Sequence, residues 1–354
     1  IKYKQIEKMS KITAVVVTFN RLKLMQRVIA SLQKQSVHIH DIIIVNNGST
    51  DGTKEWLDKQ NKLHIIHQEN VGGSGGFYRG IQEASKTECD WIWCMDDDVF
   101  PSEHCLENLL IYASKDNKIG IACPHRLMSG KTFTGEAKTL NLSNPFKDMH
   151  DNGLMPEDVE ANETVDIVGM AFEGPLIKKE VVEKIGLPNK ELFILYDDTD
   201  YSYRTILEGY RVIVVRDALM DKYDFQSQSS YREDKIKNKW KLAYHVRNTA
   251  YFGHRYGKNI GVKYLAAMPF ILRMYGAITF NFFKGHKYSV SDYGLFWRMM
   301  KRGIREELGD PSKSTFGKTP SNEKYGESEA PLIFDNGDPI ADMLTRIRNA
   351  NMVR

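Results

Sequence analysis

The sequence predicts an α/β fold in which a mostly parallel sheet is covered by helices on both faces. Two observations predict it: short apolar runs rich in β-branched residues recur through the first half of the chain, and segments with helical apolar spacing separate them. In such folds ligands bind beyond the carboxyl ends of the strands, so the loops that follow these runs are where chemistry should be sought.

The first predicted element is a strand at 12–19, ITAVVVTF, and a helix follows within 22–35, where apolar residues recur at helical spacing. The strand signal returns four more times, at 41–45, 63–67, 90–95 and 119–123. Helices are predicted between these runs, at 53–60, 76–86 and 102–114.

Beyond residue 130 the pattern changes. A polar stretch with Asn, Gly and Pro at 131–164 predicts a long loop or insertion. Regular structure resumes with an apolar run at 165–177, a helix near 178–185 and a strand at 211–215.

These patterns divide the chain into four predicted parts. They are an N-terminal extension at 1–10, an α/β domain at 11–230, a helical, aromatic and basic region at 231–309, and a flexible tail at 310–354. Within the tail, DPIADMLTRIRNANMVR resembles the beginning of bacterial ribosomal protein uS8, and we interpret residues 338–354 as a fusion or cloning remnant.

Composition limits the classes of function. The 354 residues carry 49 Lys and Arg against 46 Asp and Glu, and a net charge of +3 is too small to indicate a nucleic-acid-binding protein. The four cysteines lack the paired spacing of a zinc site, and no secretory signal is recognisable, so we expect reduced thiols in a cytoplasmic protein. The most apolar region, 260–283, is interrupted by Lys263 and Arg273, which argues against a membrane-spanning helix and leaves binding to a membrane surface open.

Three adjacent carboxylates end one predicted strand. WIWCMDDDVFP places Asp96, Asp97 and Asp98 directly after a buried run, where each close pair would repel by several kcal/mol at an intermediate dielectric, so we expect a cation there. Oxygen-only ligands select Mg²⁺ or Mn²⁺, whose shell phosphate oxygens and water usually complete. The alternative is a solvated acidic turn that caps the helix near Ser102.

A glycine-rich loop and a second acidic cluster accompany this triplet. The glycines within 72–80 fit neither the dinucleotide nor the P-loop spacing, and a turn without ligand is the alternative to a donor-binding loop. The cluster of Asp197, Asp198 and Asp200 begins a helical pattern, so helix capping is one interpretation. If one cluster holds a metal diphosphate and the other accepts a proton from a hydroxyl, the pair predicts glycosyl or phosphoryl transfer from a nucleotide donor.

Five motifs in this order resemble family 2 glycosyltransferases with the GT-A fold. They are ITAVVVTFNR, IIIVNNGSTDGT, ENVGGSGGFYRG, WCMDDDVFP and YDDTDYSYR. The resemblance covers residues 11 to about 250 and implies that 11–230 is a nucleotide-sugar-binding catalytic domain. GGSGGF before the acidic triplet is most similar to bacterial galactofuranosyltransferases, with rhamnosyltransferases close behind.

The resemblance implies donor-site roles for residues within these motifs. The nucleotide is expected beside Thr18, Asn20 and Arg21, the base beside Asn46 and Asn47, the donor against the backbone of Gly75 and Gly76, a phosphate at Arg79, and the ribose or sugar at Asp96 and Asp97. Relatives often have Asp where this chain has Asn46, which leaves the choice between uracil and thymine donors open.

The resemblance also implies the metal ligands and the base. Asp98 and Asp96 are the expected ligands, and Asp221 in ALMDKYDF is the candidate for a third, because relatives often place a histidine ligand there. Asp198 matches the catalytic base, which would deprotonate an acceptor hydroxyl in an inverting transfer.

The C-terminal half suggests a surface. KWKLAYHVRNTAYF at 239–252 resembles a segment of relatives that act on lipid-linked glycans. Five basic residues flank apolar ones across this region, namely Lys258, Lys263, Arg273, Lys284 and Lys287. They would favour anionic lipid by about 1 kcal/mol each, which predicts a peripheral location on the inner face of the cell membrane. Packing on the domain or on a second subunit of a homo-oligomer is the alternative.

Together these features predict a metal-dependent transferase of galactofuranose from UDP-galactofuranose to a cell-surface polysaccharide or polyprenyl-linked glycan. The first alternative is a rhamnosyltransferase or other hexosyltransferase that uses dTDP-rhamnose or another donor. The second is a non-catalytic nucleotide-binding subunit of a glycan-assembly complex. A nucleic-acid partner is not expected.

Overall fold

The computed structural model describes residues 10–225, 239–283 and 291–309. The chain divides into two compact units. The first comprises 1–140, 152–193 and 197–223, and the second comprises 141–151, 194–196 and 224–354. The predicted N-terminal extension, apart from residue 10, and the predicted tail with its ribosomal-protein-like peptide lie outside the described residues, as do Lys284 and Lys287.

The first unit contains twelve strands among the described residues. They are β1 (Ile12–Thr18), β2 (Asp41–Asn46), β3 (His64–His67), β4 (Trp91–Asp96), β5 (Val99–Pro101), β6 (Ile119–Met128), β7 (Lys131–Phe133), β8 (Ala137–Thr139), β9 (Asn152–Gly153), β10 (Thr164–Asp166), β11 (Leu176–Lys178) and β12 (Arg211–Lys222).

Seven described helices accompany these strands. They are α1 (Leu22–Leu32), α2 (Thr53–Leu57), α3 (Gly72–Ser85), α4 (Cys105–Ala113), α5 (Pro156–Ala161), α6 (Lys179–Ile185) and α7 (Asp197–Leu207), with a 3-10 turn at Lys190–Leu192.

Ten of the strands form one mixed sheet in the order β10-β12-β6-β11-β4-β1-β2-β3, with β5 paired to β12 and β7 to β6. The strands β4, β1, β2 and β3 are parallel to their neighbours in this run, and β12 is parallel to β6. The strand β11 is antiparallel to both β4 and β6, so the sheet changes direction at its centre. β8 and β9 form a separate two-stranded sheet.

Helices cover both faces of the sheet, as the sequence predicts. Every residue of β1 is buried, and successive residues face opposite sides: Val16 packs with Met25 of α1, and Val15 packs with Ile81 of α3. The patterned apolar residues of α1, which are Met25, Val28, Ile29 and Leu32, are buried in the first of these cores. A strand covered on both faces reads as a continuous apolar run, which explains ITAVVV.

The stretch 131–164, predicted as a long loop or insertion, contains short elements. β7, β8, β9 and α5 lie within it, and β10 begins at its end. Strands of two or three residues are too short to show an alternating pattern, which is why the sequence did not reveal them. The polar residues that suggested a loop hold the backbone together: the Asn141 amide donates to the carbonyls of Asn144 and Lys147, at 2.8 and 3.1 Å.

The C-terminal part of the second unit, from residue 239 onward, is mainly helical where it is described, as predicted for the C-terminal region. Its helices are α8 (Lys239–Tyr256), α9 (Ile260–Leu265), α10 (Met268–Phe283) and α11 (Ser291–Ile304). Its buried core includes Val246, Ile271 and Phe296. Within the described residues, no helix has the length and apolarity that crossing a membrane requires.

All four cysteines are buried free thiols, namely Cys89, Cys94, Cys105 and Cys123. Burial raises the pKa of the thiols of Cys94, Cys105 and Cys123, because an anionic sulfur would lose its hydration. A buried thiol with a raised pKa is a poor nucleophile, so these side chains act as small apolar groups.

Candidate active site

The polar loops predicted to hold the chemistry begin at adjacent strand ends. Because β1 pairs in parallel with both β2 and β4, Thr18 lies opposite Asn46 and Val17 opposite Asp96 at one edge of the sheet. The first two loops are joined directly: the backbone N–H of Asn20 donates to Ser49 Oγ at 2.9 Å, and Asn20 Oδ1 accepts from the Thr50 N–H at 2.7 Å.

Asp97 joins the end of β4 to the end of β1. Its carboxylate accepts from Thr18 Oγ1 at 2.7 Å, from the backbone N–H of Phe19 at 3.3 Å and from Arg21 Nη1 at 2.8 Å. The residue is 3% exposed. These protein partners occupy both carboxylate oxygens, so they are sufficient to account for an aspartate at this position. A contact of Asp97 with ribose or sugar stays a prediction.

Asp96 and Asp98 form a cluster with a third acid, Glu173. One carboxylate oxygen from each residue lies within 4.8 Å of the others. Burial, together with the charges of Asp98 and Asp97, raises the pKa of Asp96 well above its usual range. Asp98 is 7% exposed, and its Oδ1 is buried without a hydrogen-bond partner. An orphaned carboxylate oxygen within an oxygen-only donor set fits a hard divalent cation such as Mg²⁺ or Mn²⁺.

Glu173 was not selected from the sequence. The antiparallel pairing of β11 with β4 brings it beside the triplet: Leu176 lies opposite Trp93, and the Gly174 N–H donates to the carbonyl of Cys94 at 2.9 Å. The available signal was one acid near the end of the apolar run VDIVGMAFEGPLI, seven residues after the only other acid of that run, Asp166. A lone acid has no spacing to read, and only the pairing of strands far apart in sequence gives it neighbours.

Three basic side chains share these carboxylates. Lys222 Nζ lies 3.3 Å from Asp98 Oδ2 and 2.8 Å from Glu173 Oε1. Arg126 pairs with Glu173 and with Glu136. Arg21, besides its bond to Asp97, lies 3.5 Å from Asp98 Oδ2. Charges this deep are tolerated because each has an opposite partner.

The charges of the cluster do not balance. Its acids are Asp96, Asp97, Asp98, Glu136 and Glu173, and its bases are Arg21, Arg126 and Lys222. With every group ionised, the five carboxylates exceed the three cations by two negative charges among these described residues. That excess equals the charge of one divalent cation.

Asp221, the candidate third ligand, directly precedes Lys222 in the sequence but is exposed. It pairs with Phe100 across the β12–β5 ladder, and alternation along a strand directs it away from the side on which Lys222 meets Asp98. Among the described residues, Glu173 is the acid that accompanies Asp96 and Asp98, and Asp221 is outside the group.

Asp198 lies in the first turn of α7 and is partly buried. Burial, followed by the charge of Asp197, raises the pKa of its carboxyl, and Arg126 acts in the opposite direction. One oxygen accepts from the backbone N–H of Thr199 at 2.7 Å. Of the other acids in this turn, Asp200 bonds Arg204 at 2.8 Å, so it stabilises the helix itself.

The backbone before α7 is constrained. Phe193, Leu195 and Tyr196 all have a positive φ. Residues other than glycine adopt this backbone conformation at a cost of order 1–3 kcal/mol each. A Cβ at Gly72 would lie 2.1 Å from the carbonyl oxygen of Phe193, so only glycine allows the start of α3 to approach this segment.

The predicted base-binding amides bond protein groups. Asn46 Nδ2 lies 3.0 Å from His67 Nδ1, and Asn46 Oδ1 accepts from the Ser49 N–H at 3.1 Å. Asn47 donates to the carbonyl of Gly72 at 2.9 Å and accepts from Gln68 Nε2 at 3.0 Å. Both residues hold the loops of this edge in place, and contact with a nucleotide base stays a prediction.

The predicted donor-loop residues Gly75, Gly76 and Arg79 belong to α3. A Cβ at Gly76 would lie 2.5 Å from Val17 Cγ1, and one at Gly75 would lie 2.5 Å from Val71 Cγ2. These glycines therefore permit close packing inside the protein. Arg79 is half-exposed and pairs with Glu83 at 3.1 Å, and the structure does not bring it into the acidic cluster.

Residues 13–173 match the family model described as Glycosyl transferase family 2. The galactofuranosyltransferase GlfT1 of Mycolicibacterium smegmatis is 24% identical over 215 residues, which is 56% of this chain and 66% of that protein. Galactofuranosyltransferase GlfT2 of Mycobacterium tuberculosis is 27% identical over 53% of this chain and 31% of its own length.

A poly-beta-1,6-N-acetyl-D-glucosamine synthase of Staphylococcus aureus is 21% identical over 58% of this chain and 48% of its own length. The chain thus spans from about a third to two thirds of the length of these curated relatives.

A crystal structure of GalNAc-T7 with UDP, GalNAc and Mn²⁺ resembles this chain with a TM-score of 0.51. The match covers 72% of this chain and 53% of that chain at 16% identity, so it concerns the fold alone, and it confirms the predicted GT-A class. The family match over residues 13–173 and the likeness to these relatives agree with the predicted enzyme class, a glycosyltransferase.

Proposed function

We propose that this protein is an inverting, metal-dependent glycosyltransferase that transfers galactofuranose from UDP-galactofuranose to a cell-surface polysaccharide or lipid-linked glycan. One observation carries the proposal. The first unit contains both a carboxylate cluster with the unpartnered oxygen of Asp98 and a separate carboxyl, Asp198, whose pKa is raised. A metal-dependent transferase that also uses a general base needs these two different kinds of acid.

Asp96, Asp98 and Glu173 would hold the divalent cation, either Mn²⁺ or Mg²⁺. When bound, the metal neutralises negative charge on the departing diphosphate. Thr18 and Arg21 hold Asp97 in its buried position, which keeps the acidic triplet at the end of β4. In this proposal the whole of 11–230 acts as the catalytic domain.

Asp198 would act as the general base. Its carboxylate accepts the proton of an acceptor hydroxyl while that oxygen forms a bond to the anomeric carbon, and the bond from this carbon to the diphosphate oxygen breaks. A single attack from the opposite face inverts the configuration. A raised pKa suits a base that works near neutral pH, because the driving force for proton uptake grows with the pKa.

Likeness to two galactofuranosyltransferases supports the choice of sugar. A panel of sugar nucleotides with Mn²⁺ or Mg²⁺, followed by mass spectrometry of the product, tests it. We expect turnover with UDP-galactofuranose. Turnover with dTDP-rhamnose and none with UDP-galactofuranose would favour the rhamnosyltransferase alternative.

Asp198→Asn separates catalysis from nucleotide binding alone. We expect transfer to fall by at least about a hundredfold, since general-base catalysis contributes roughly 10²–10⁴-fold, while metal-dependent UDP binding stays intact. The matched control is Asp217→Asn, an exposed carboxylate that bonds Arg216 at 3.1 Å. Transfer by the Asp198 variant at the rate of the control would show that Asp198 is not the base. UDP binding without transfer by the wild type and the control would favour the non-catalytic subunit instead.

We also propose that the protein lies on the inner face of the cell membrane as a peripheral protein. Exposed side chains of the second unit support this proposal. Ile260, Tyr264 and Leu272 are 78%, 49% and 60% exposed; the exposed Lys263 lies in α9, and the exposed Lys258 lies just before it. Exposed apolar side chains next to basic ones favour an anionic lipid surface. Burial of the same side chains in a homo-oligomer is the alternative.

A further inference from the structure

Lys222 places an ammonium group inside the acidic cluster. Its Nζ lies 2.8 Å from Glu173 Oε1 and 3.3 Å from Asp98 Oδ2, so it bridges two of the three acids that could hold a metal. The side chain is 8% exposed. The ammonium group of Lys222 therefore contacts two of the carboxylates that would also bind a divalent ion.

Backbone pairing fixes the lysine in this place. Lys222 lies opposite Val99 at the end of the β12–β5 ladder, and the next residue, Tyr223, donates its N–H to the carbonyl of Asp98 at 2.8 Å. The ammonium also lies 5.7 Å from the ring centroid of Phe133. These contacts hold the end of β12, and with it the backbone of Lys222, next to the acidic triplet.

The lysine leaves part of the cluster unsatisfied. Asp98 Oδ1 is buried without a partner, although Asp98 Oδ2 receives the ammonium. With every group ionised, the carboxylates of the cluster still exceed its cations by two, as counted above. A divalent ion is therefore still attracted to the cluster, but it must share Asp98 and Glu173 with a positive group a few ångströms away, and like charges at such distances repel.

We propose that Lys222 is a positioning residue that weakens the binding of a divalent cation until a nucleoside diphosphate is present. The diphosphate offers the ammonium a new anionic partner, so the metal can take the carboxylates while the lysine pairs with phosphate. Metal and nucleotide then bind cooperatively, because each favours the same arrangement of Lys222. The inference rests on the proposed function, since it assigns the cluster to metal and diphosphate.

The experiment measures Mn²⁺ binding by electron paramagnetic resonance on the full chain, with and without UDP, for the wild type, Lys222→Gln and Lys222→Met. Methionine keeps an unbranched stem near the Phe133 ring. Without UDP, we expect both variants to bind Mn²⁺ at least about tenfold more tightly than the wild type, a change equivalent to about 1.4 kcal/mol. We expect the gain in Mn²⁺ affinity on adding UDP to be smaller in the variants.

The matched control is Lys138→Gln, which removes a partly exposed ammonium that pairs with Asp158 at 2.7 Å outside the cluster. It should bind Mn²⁺ as the wild type does. Lys222→Arg keeps the positive charge and should also leave the low affinity for Mn²⁺ alone unchanged.

The outcomes separate this inference from the proposed function. If the wild type binds Mn²⁺ and the neutral variants bind it no more tightly, the inference is wrong and the metal site stands. If all proteins bind UDP but none binds Mn²⁺, the metal site is wrong as well; if none binds UDP, the proposed function is wrong. Should both neutral variants fail to fold, the wild type decides: equal Mn²⁺ affinity with and without UDP overturns the inference.

Discussion

Asp198 shows how one residue acquires its chemistry from its surroundings. Removal from water and the neighbouring Asp197 raise the pKa of its carboxyl above the usual value of about 3.9. A carboxyl with a raised pKa takes up its proton at a higher pH than an ordinary one. As pH falls through the raised pKa, the base is lost, and it is regained as pH rises.

This gives a prediction for the pH dependence of transfer. We expect kcat/KM to decline with falling pH well before the pH range in which an exposed aspartate is protonated, and the decline should follow one proton. The measurement is a pH profile from about 5 to 9 under donor concentrations far below KM. A rate that stays constant down to pH 5 would show that no group with a raised pKa acts as the base.

Glu173 and Asp221 provide a second test at this scale. Glu173→Gln removes a carboxylate of the cluster and leaves Lys222 and Arg126 less compensated, so Mn²⁺ affinity should fall at least about tenfold. Asp221→Asn alters an exposed side chain outside the cluster and should leave the affinity unchanged. Calorimetric titration of both variants measures the difference, and the opposite result would restore the ligand assignment made from the sequence.

At the scale of elements, α3 lies against β1 because two glycines face the strand. A Cβ at Gly76 would meet Val17 Cγ1 at 2.5 Å, and one at Gly80 would meet Val15 Cγ1 at 2.3 Å. Both neighbours are β-branched and stiff, so they cannot yield by a simple rotation. The same helix offers a contrast, since a Cβ at Gly73 would meet nothing within 4 Å.

We therefore expect opposite effects of one substitution in one helix. Gly76→Ala should lower the free energy of unfolding by about 1–3 kcal/mol through overpacking. Gly73→Ala should raise it by about 0.5–1 kcal/mol, because alanine is the better helix former. Urea denaturation followed by circular dichroism measures both changes. Equal effects would mean that α3 does not pack on β1 as described.

Elements also differ in how far the sequence could predict them. The β1 run and the helical spacing of α1 were readable because a buried strand and an amphipathic helix impose their periods on the residues. The start of α3 at Gly72 was not, since GGSGG has poor helix propensity and only packing on β1 makes it helical. The antiparallel strand β11 could not be predicted for a different reason: its three residues are too few to show an alternating pattern.

For the whole molecule, the second unit makes the membrane proposal testable. Lys258→Gln combined with Lys263→Gln should weaken sedimentation with phosphatidylserine vesicles by roughly thirtyfold, at about 1 kcal/mol per basic residue. Lys54→Gln combined with Lys59→Gln, two exposed lysines around α2, is the matched control. Wild-type sedimentation that is equal on neutral and anionic vesicles would contradict an electrostatic contact.

The candidate site was predictable where its residues are close in sequence. The Asp96–Asp98 triplet and the acids that begin α7 stand out as runs, and parallel strand order gives the edge of the sheet at which the triplet lies. Glu173, Arg126 and Lys222 could not be found this way. None of the three belongs to a recognisable motif. Arg126 lies in β6, Lys222 lies in β12 and Glu173 precedes β11, and these strands approach the triplet only through long-range pairing.

Because all four native thiols are buried, we expect none of them to react with thiol-specific reagents in the folded protein. A maleimide dye should therefore not label the native cysteines of the folded protein. A single introduced cysteine, for example Glu69→Cys in the exposed loop after β3, would then be the labelled position. Fluorescence from that position could then report donor arrival in real time without first stripping cysteines from the interior.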